Sequence, residues 1–279
     1  MHKKYCYFNG KIIEEKNAHI SPFDLGILRG YGVFDVMCTT NSKPFHLSDH
    51  WDRFIKSAKK LRLVSPITKS EYEEVLKKLL SASPYKKTSI RTVLTGGFSA
   101  NGMTLSDTPT FYILLHDMDQ FTPDEKLYKN GAKIITHDFI RSHTVSKTTN
   151  YIEAIIHQKK RQTKDAVEIL YALNGNVTEC ATSNIFMIKD NILYTPKKDI
   201  LFGITRKIIL SIAKKEKIVI KVQDVTLTDL LSADEIFITG SAKHILPITK
   251  IDTKKISDGK PGPITQKLSE KYFAYLSRY

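Results

Sequence analysis

Residues 166–196 read AVEILYALNGNVTECATSNIFMIKDNILYTP, and this stretch gives the clearest indication of the secondary structure. Apolar runs of strand length are separated by the polar pairs Asn174-Gly175 and Asp190-Asn191. Asn, Asp and Gly adopt the left-handed backbone of tight hairpin turns at low cost, so such pairs between apolar runs predict hairpins. We therefore predict an antiparallel meander in the second half of the chain.

Helices and strands are predicted on both sides of this meander. Upstream in the second half we predict the strand AKIITHDF, and downstream the helix TRKIILSIAKK, the strands IVIKVQDV and EIFITGS, and a terminal helix over 264–276. The first half predicts an Asn9-Gly10 hairpin, the strand pair GVFDVMCTTNSKPFHL, two helices capped by Ser48 and Ser70, and the strands SIRTVLT and TFYILLH. The expected class is α+β or α/β, with domains over 1–117 and 131–279 joined by a linker over 118–130.

The composition indicates an ordinary globular protein. Hydrophobic residues make up 41% of 279 residues, and no apolar run approaches the roughly 18 residues of a membrane-spanning helix. Cys6, Cys38 and Cys180 are far apart and odd in number, which predicts neither a disulfide framework nor a zinc site. The start MHKKYCYFNGK contains no apolar secretion signal. We expect a cytoplasmic protein without a metal and without a membrane partner.

The formal charge of +14 raises the question of a nucleic-acid partner, because basic surfaces attract polyanions. The lysines occur as pairs scattered along the whole chain, whereas a nucleic-acid footprint requires clustering. We therefore expect a solvated basic surface and no nucleic acid. A smaller part of the charge excess can attract an anionic substrate or cofactor.

A lysine and a carboxylate are the first two candidates for chemistry. Lys147 lies in VSKTTNY, a small polar setting with no carboxylate nearby in sequence, just before a predicted helix that carries Ile152, Ile155 and Ile156. Glu179 lies in an otherwise uncharged strand. It either faces water or is buried, and burial requires a cationic or protonated partner such as a heterocyclic nitrogen.

Two candidate anion sites and an arginine complete the set. Gly203 precedes a helix, so the amides of Ile204 and Thr205 lie at a helix N-terminus, where phosphate is favoured. A strand ends at TGS, which places the hydroxyl of Ser241 beside a glycine. Arg53 adds a bidentate donor on a first-half helix. Each signal also has an ordinary structural explanation, but together they are the parts that hold a phosphorylated pyridine aldehyde.

At this point the chain resembles the class IV aminotransferases, the fold-type IV pyridoxal-phosphate enzymes. The resemblance rests on DLGILRGYGVFDV, HWDRFIKSAKKL, SKTTNY, GNVTECATSNIFMI, ILFGITR and TGSAKHILPI, in family order over nearly the whole chain. It implies pyridoxal 5'-phosphate as cofactor, a small α/β lobe and a larger pseudo-barrel lobe. It also implies a homodimer with active sites at the interface.

The same resemblance implies a role for each candidate residue. Lys147 resembles the Schiff-base lysine and Glu179 the partner of the ring nitrogen. The remaining cofactor contacts implied are Arg53, Tyr151, Ile204, Thr205 and Ser241, and the substrate contacts are Phe34, Arg91 and Ala242.

The resemblance leaves several functions open. An aminotransferase for branched-chain or other L-amino acids, with a 2-oxo acid as acceptor, leads. The loop GGFSANGMTL contains neither the arginine nor the histidine that one type of D-amino acid aminotransferase uses there. The alternatives are 4-amino-4-deoxychorismate lyase, which forms 4-aminobenzoate and pyruvate for folate synthesis, a D-amino acid aminotransferase, and a non-catalytic basic binding protein.

Overall fold

The computed structural model describes residues 3–279 as two compact units. The first contains the described residues up to Phe121 and also Ser146–Tyr151, and the second contains Thr122–Val145 and Ile152–Tyr279. The predicted domains place Lys147 in the second domain, whereas its segment belongs to the first unit. The reason is hydrogen bonding, since the amide of Phe34 donates to the carbonyl of Lys147 and the amide of Thr149 donates to that of Gly32, both at 2.9 Å.

The first unit consists of a sheet and helices that pack against it. Its elements are β1 (Tyr5–Phe8), β2 (Lys11–Glu14), α1 (Leu25–Arg29), β3 (Gly32–Thr40), β4 (Lys43–Pro44), α2 (Leu47–Lys60), α3 (Lys69–Ser81), β5 (Thr88–Thr95) and β6 (Phe111–Asp117). The six strands form one sheet in the order β2-β1-β6-β5-β3-β4. The neighbouring pairs are antiparallel, and the apolar faces of α2 and α3 pack on the sheet around Phe54, Leu76 and Phe111.

Sequence patterns in the first unit predict the strands well and the helix starts less well. Asn9 and Gly10 have φ of 42° and 92°, as the predicted hairpin requires. The predicted cap Ser48 is wrong, because α2 begins at Leu47 with His46 in the cap position. The predicted cap Ser70 is also wrong, because Thr68 caps α3 through a capping box with Glu71.

The second unit is built around a larger sheet. Its elements are α4 (Glu125–Asn130), β7 (Ala132–His137), α5 (Ile152–Ile156), α6 (Gln158–Thr163), β8 (Glu168–Leu173), β9 (Asn176–Cys180), β10 (Asn184–Lys189), β11 (Ile192–Pro196), α7 (Ile204–Lys215), β12 (Val219–Gln223), β13 (Val225–Thr226), α8 (Leu227–Leu231), β14 (Glu235–Gly240), β15 (His244–Ile251), β16 (Lys254–Lys255) and α9 (Pro263–Ser277). The predicted linker over 118–130 therefore contains the whole of α4.

The ten strands of this sheet follow the order β12-β11-β10-β14-β15-β7-β8-β9-β13, with β16 paired to β15. The two predicted hairpins, β8 with β9 and β10 with β11, are confirmed. The prediction that these hairpins form one continuous meander is wrong. Strand β10 pairs with β14 on the side opposite β11, so the two hairpins are separated in the sheet. The pairing of β10 with β14 brings Asn184 opposite Thr239. Within residues 3–279 no helix is long and apolar enough to span a membrane.

Candidate active site

Lys147 lies in a loop that is fixed at its backbone. Its amide donates a 3.0 Å hydrogen bond to the Oγ of Ser57, and its carbonyl accepts from the amide of Phe34 at 2.9 Å. The next residue, Thr148, forms an isolated antiparallel bridge with Val33 on β3. The lysine is therefore tied to both a helix and a strand of the first unit, while its side chain is only partly buried.

The amine of Lys147 lies against an aromatic ring. Its Nζ is 4.6 Å from the ring centroid of Phe34, and the guanidinium carbon of Arg91 is 5.2 Å from the same centroid. The ring of Tyr151 meets Phe34 edge-on at 5.5 Å. Cations are attracted to the negative face of an aromatic ring. The structure thus brings together four of the predicted residues, with one phenylalanine at their centre.

Arg53 lies on the buried side of α2 and is not a surface arginine. Its Nε and Nη2 donate to the two oxygens of Asp35 at 2.7 and 2.9 Å, and His50 contacts the same carboxylate at 2.6 Å. Burial acts to raise the pKa of Asp35, but Arg53 and His50 hold that pKa well below its ordinary value. The bidentate pair fixes the plane of the Arg53 guanidinium.

Glu179 is 4% exposed and has a cationic partner, so the alternative that it faces water is wrong. Arg141 donates to its Oε1 from Nε at 2.8 Å and from Nη2 at 2.6 Å. The other oxygen, Oε2, accepts from the amide of Leu201 at 2.9 Å and from the Nδ2 of Asn184 at 3.4 Å. A buried carboxylate requires such pairing, because removing it from water unpaired is costly.

Asn184 connects the carboxylate to the start of α7. Its Nδ2 also donates to the carbonyl of Leu201 at 2.8 Å, and a Cβ placed on Gly203 would lie 2.1 Å from its Oδ1. Any larger residue here would require the Asn184 side chain to shift. Gly203 is the N-cap of the twelve-residue α7 and makes no side-chain cap, so the amides of Ile204 and Thr205 follow at a helix N-terminus.

The strand end at Thr239 lies beside the same asparagine. Thr239 pairs with Asn184 across β10 and β14, is 2% exposed, and its Oγ1 has no hydrogen-bond partner among the described residues. Buried hydroxyls without partners are uncommon and require an explanation, such as a ligand. Ser241 and Ala242 follow in the turn between β14 and β15, and both are partly buried.

This turn is anchored by a buried ion pair. Lys243 Nζ lies 3.0 Å from Oε1 of Glu168, which also accepts hydrogen bonds from the hydroxyls of Thr182 and Ser183. Burial acts to raise the pKa of Glu168, but Lys243 and these donors bring it below its ordinary value. The carbonyl of Lys243 accepts a 3.0 Å hydrogen bond from Tyr128. The pair fixes the turn that carries Ser241.

Comparison with known proteins identifies the family. Residues 32–251 match the family model described as amino-transferase class IV. The chain belongs to the class IV aminotransferase family. This aminotransferase is 34% identical to the D-alanine aminotransferase of Listeria monocytogenes serotype 1/2a, over 97% of this chain and 95% of that protein. It is also 34% identical to a protein of Methanocaldococcus jannaschii provisionally named branched-chain-amino-acid aminotransferase, over 95% and 94%.

Solved structures give the same assignment for the fold. A T.th. branched-chain amino acid aminotransferase with pyridoxamine 5'-phosphate has a TM-score of 0.89 and 26% identity, covering 99% of this chain and 94% of that one. The branched-chain aminotransferase of Thermoproteus uzoniensis with norvaline has a TM-score of 0.87 and 26% identity, covering 99% and 95%. The predicted fold-type IV architecture of this aminotransferase is therefore confirmed. Its larger sheet is a nearly closed pseudo-barrel.

The structure groups the ten predicted site residues by unit. Lys147, Arg53, Phe34, Arg91 and Tyr151 lie in the first, and Glu179, Ile204, Thr205, Ser241 and Ala242 lie in the second.

Supporting residues that pattern reasoning missed include Ser57, Arg141, Asn184 and Lys243. Arg141 precedes Glu179 by 38 residues, so no local motif links them. A carboxylate in an uncharged strand is the one available signal, because its burial requires a cation from elsewhere in the chain.

Proposed function

We propose that this aminotransferase holds pyridoxal 5'-phosphate and transfers the amino group of an amino acid with an apolar side chain to a 2-oxo acid. The observation that carries the proposal is the position of the Lys147 amine and the Arg91 guanidinium at one aromatic ring, that of Phe34. An amine, a cation for a carboxylate and an apolar surface are what an apolar amino acid requires.

The chemistry of the residues fits the cofactor. Pyridoxal phosphate has an aldehyde, a ring nitrogen and a phosphate, and the chain offers an amine at Lys147 and a buried carboxylate at Glu179. For the phosphate it offers the uncapped N-terminus of α7 and the buried hydroxyl of Thr239, which has no hydrogen-bond partner within residues 3–279. When bound, the cofactor supplies an electrophilic carbon for the amine and a ring that takes up electrons.

Each candidate site residue then has a proposed role. Lys147 would hold the aldehyde end of the cofactor through its amine, and once the amine of the substrate has displaced it, the free Nζ would take the proton from the Cα of the substrate. Glu179 accepts the N–H of the ring nitrogen, and Arg141 holds that carboxylate in place. Arg53, the amides of Ile204 and Thr205, and Ser241 would bind the phosphate, and Tyr151 would contact the cofactor. These roles follow from residue type, burial and the family resemblance.

The substrate side is assigned to Phe34, Arg91 and Ala242. Phe34 is 7% exposed, so its ring is a fixed apolar surface beside the Lys147 amine. Arg91 is partly buried on β5 and is suited to pair with the carboxylate of the substrate. Branched-chain L-amino acids have both an apolar side chain for Phe34 and a carboxylate for Arg91, and they are the leading substrates.

D-alanine is the second candidate donor. The supporting observation is that relatives at 34% identity include the Listeria D-alanine aminotransferase as well as the Methanocaldococcus protein. Because the sequence identity to the two relatives is the same, it does not favour one substrate over the other. The stereochemistry of the donor has to be measured.

The deciding experiment is a half-reaction with single amino acids. The purified enzyme, loaded with pyridoxal phosphate, is mixed in turn with L-leucine, L-valine, D-alanine and D-leucine, and the loss of its visible absorbance is recorded. We expect bleaching by the L-branched-chain donors and a lysine-linked adduct at Lys147 after borohydride reduction. Bleaching by D-alanine alone would assign the second candidate, and pyruvate release from aminodeoxychorismate without bleaching would assign the lyase activity.

Two variants test the roles separately from the substrate. Lys147→Ala is expected to abolish turnover while still retaining cofactor noncovalently, because the phosphate contacts are unchanged. Arg53→Ala is expected to lose cofactor on dialysis faster than the wild type. Full turnover by Lys147→Ala would refute the proposed mechanism whatever the substrate.

We further propose that the enzyme is a homodimer. The sequence predicts Ile152, Ile155 and Ile156 as the apolar face of a helix, and these side chains are 64%, 68% and 62% exposed on α5. Three adjacent exposed isoleucines favour association. Light scattering on the protein as it elutes from a size-exclusion column, at several concentrations, measures its molar mass. The mass of a monomer at every concentration would refute the proposal.

A further inference from the structure

Two imidazoles and one carboxylate meet beside β7, and none of the three residues is assigned to the reaction. His137 ends β7, Glu153 lies in α5, and His157 follows α5 directly. The Nε2 of His137 is 3.1 Å from the Oε2 of Glu153, and the Nε2 of His157 is 3.6 Å from the same oxygen. We propose that these three side chains form a binding site for a divalent transition-metal ion such as zinc.

The spacing of the three ligand atoms suits such an ion. A tetrahedral zinc ion with bonds of about 2.0–2.1 Å separates its ligand atoms by about 3.3 Å. The two measured separations from Oε2 lie on either side of this value, and all three atoms lie within 4.8 Å of one another. Small shifts at the two Glu153 contacts, with the two imidazole nitrogens brought to the same separation, therefore complete the geometry.

The chemistry of the set also favours a metal over a simple ion pair. Imidazole suits zinc, copper, nickel and iron, whereas calcium and magnesium prefer oxygen ligands. The rings of His137 and His157 are 3.9 Å apart at their centroids. Two imidazoles this close repel each other if both are protonated, whereas both can bind one metal ion in neutral form. Of the two imidazoles, only that of His137 is within hydrogen-bond distance of the Glu153 carboxylate.

The ligands are held in position and are still accessible. Their side chains are 21%, 35% and 24% exposed for His137, Glu153 and His157. The amide of His157 donates to the carbonyl of Glu153 at 3.2 Å, which keeps these two on one side of a helical turn. Phe139 stacks on His137 with centroids 5.7 Å apart and limits its rotation. With three protein ligands, a fourth position remains for water.

A metal at this site would join β7 to α5 within the second unit. The chain that leaves β7 carries Arg141, the partner of Glu179, so the ion would limit the excursions of this segment. The sequence predicts no metal, because the ligands are 16 residues apart between His137 and Glu153 and form no compact motif. The cluster becomes visible only when β7 and α5 are placed together.

The test is equilibrium dialysis of the cofactor-loaded enzyme against zinc chloride, with metal counted by elemental analysis. We expect one saturable zinc ion per chain, and at least tenfold weaker binding in Glu153→Gln and in His157→Ala. Glu153→Gln keeps the size and shape of the side chain, and circular dichroism checks that both variants fold. The matched control is His19→Ala, which removes a histidine outside the cluster and should bind zinc like the wild type.

Two results would overturn the proposal. One is the lack of any saturable zinc binding in the folded wild-type enzyme, which would leave the cluster as a hydrogen-bonded group only. The other is unchanged binding in Glu153→Gln and His157→Ala, which would place the ion elsewhere, for example on the cofactor.

Discussion

The backbone amide of Lys147 donates a 3.0 Å hydrogen bond to the Oγ of Ser57, a residue that is 0% exposed. The same hydroxyl donates to the carbonyl of Arg53 at 2.9 Å, one helical turn earlier. One serine therefore uses both its acceptor and its donor to join the lysine loop to the helix that carries Arg53. The separation between the lysine and this helix is set by a side chain with a single polar atom.

Ser57→Ala is expected to reduce both stability and turnover. The change leaves the amide of Lys147 without this acceptor, which costs about 1–3 kcal/mol for a buried donor. The looser loop places the Lys147 amine less accurately, so kcat should fall by about tenfold or more. Urea unfolding and steady-state kinetics measure the two effects.

The matched control is Ser81→Ala on α3. Ser81 also donates its hydroxyl to a backbone carbonyl, that of Lys78 at 2.9 Å, but it is exposed. We expect Ser81→Ala to lower the free energy of unfolding by less than about 0.5 kcal/mol and to leave kcat unchanged. Equal effects of the two substitutions would mean that Ser57 acts only within its helix.

How much of this region is predictable depends on the range of each contact. The strands, the Asn9-Gly10 turn and the loop position of Lys147 follow from local residue types. The contact between Ser57 and Lys147 spans 90 residues and is not encoded by any local pattern. The burial of Arg53 is also not predictable, since an arginine on an amphipathic helix is usually exposed and no local pattern links it to Asp35.

In the second unit the hairpins are predictable and their order in the sheet is not. Turn residues specify which strands are joined, but the partner of each outer strand depends on packing over the whole sheet. The insertion of β14 beside β10 pairs Thr239 with Asn184. Gly203 and Glu179 can be selected by residue type, whereas Asn184 as their common neighbour requires the structure.

Arg141→Met is expected to destabilise the protein strongly. It leaves Glu179 buried with one cationic partner fewer, and removing one member of a buried ion pair costs about 3–5 kcal/mol. Adding Glu179→Gln to Arg141→Met removes the unpaired charge, so the double variant should be more stable than Arg141→Met alone. A double-mutant cycle by urea unfolding measures the coupling, and additive effects would show that the pair contributes nothing.

Lys243→Met is expected to destabilise the protein in a pH-dependent way. The pKa of Glu168 is below its ordinary value, so its stabilising contribution is present above the unfolded pKa of about 4.3 and is lost as pH falls through the folded pKa. The loss caused by Lys243→Met should thus be about 3 kcal/mol at pH 7 and shrink steadily below about pH 4.3. Urea midpoints over this pH range test the sign.

The control for this pH dependence is Lys129→Met. Lys129 and Glu125 are 4.0 Å apart and 72% and 86% exposed, so this pair is a surface contact of small value. We expect Lys129→Met to leave the free energy of unfolding almost unchanged at every pH. A loss for Lys243→Met that stayed constant down to acid pH would mean that lost packing, and not the charge of Lys243, is the cause.

Gly203→Ala tests whether the approach of α7 to Asn184 matters. The added Cβ would lie 2.1 Å from the Oδ1 of Asn184, while the φ of −65° at Gly203 suits alanine without strain. The cost is therefore steric, about 1–3 kcal/mol, and cofactor retention on dialysis should fall as the helix start shifts. At Gly240, at the end of β14, the nearest atom to an added Cβ is 3.5 Å away, so Gly240→Ala should keep its stability. Equal stability of the two variants would show that Asn184 moves aside freely and that the glycine at 203 is not required.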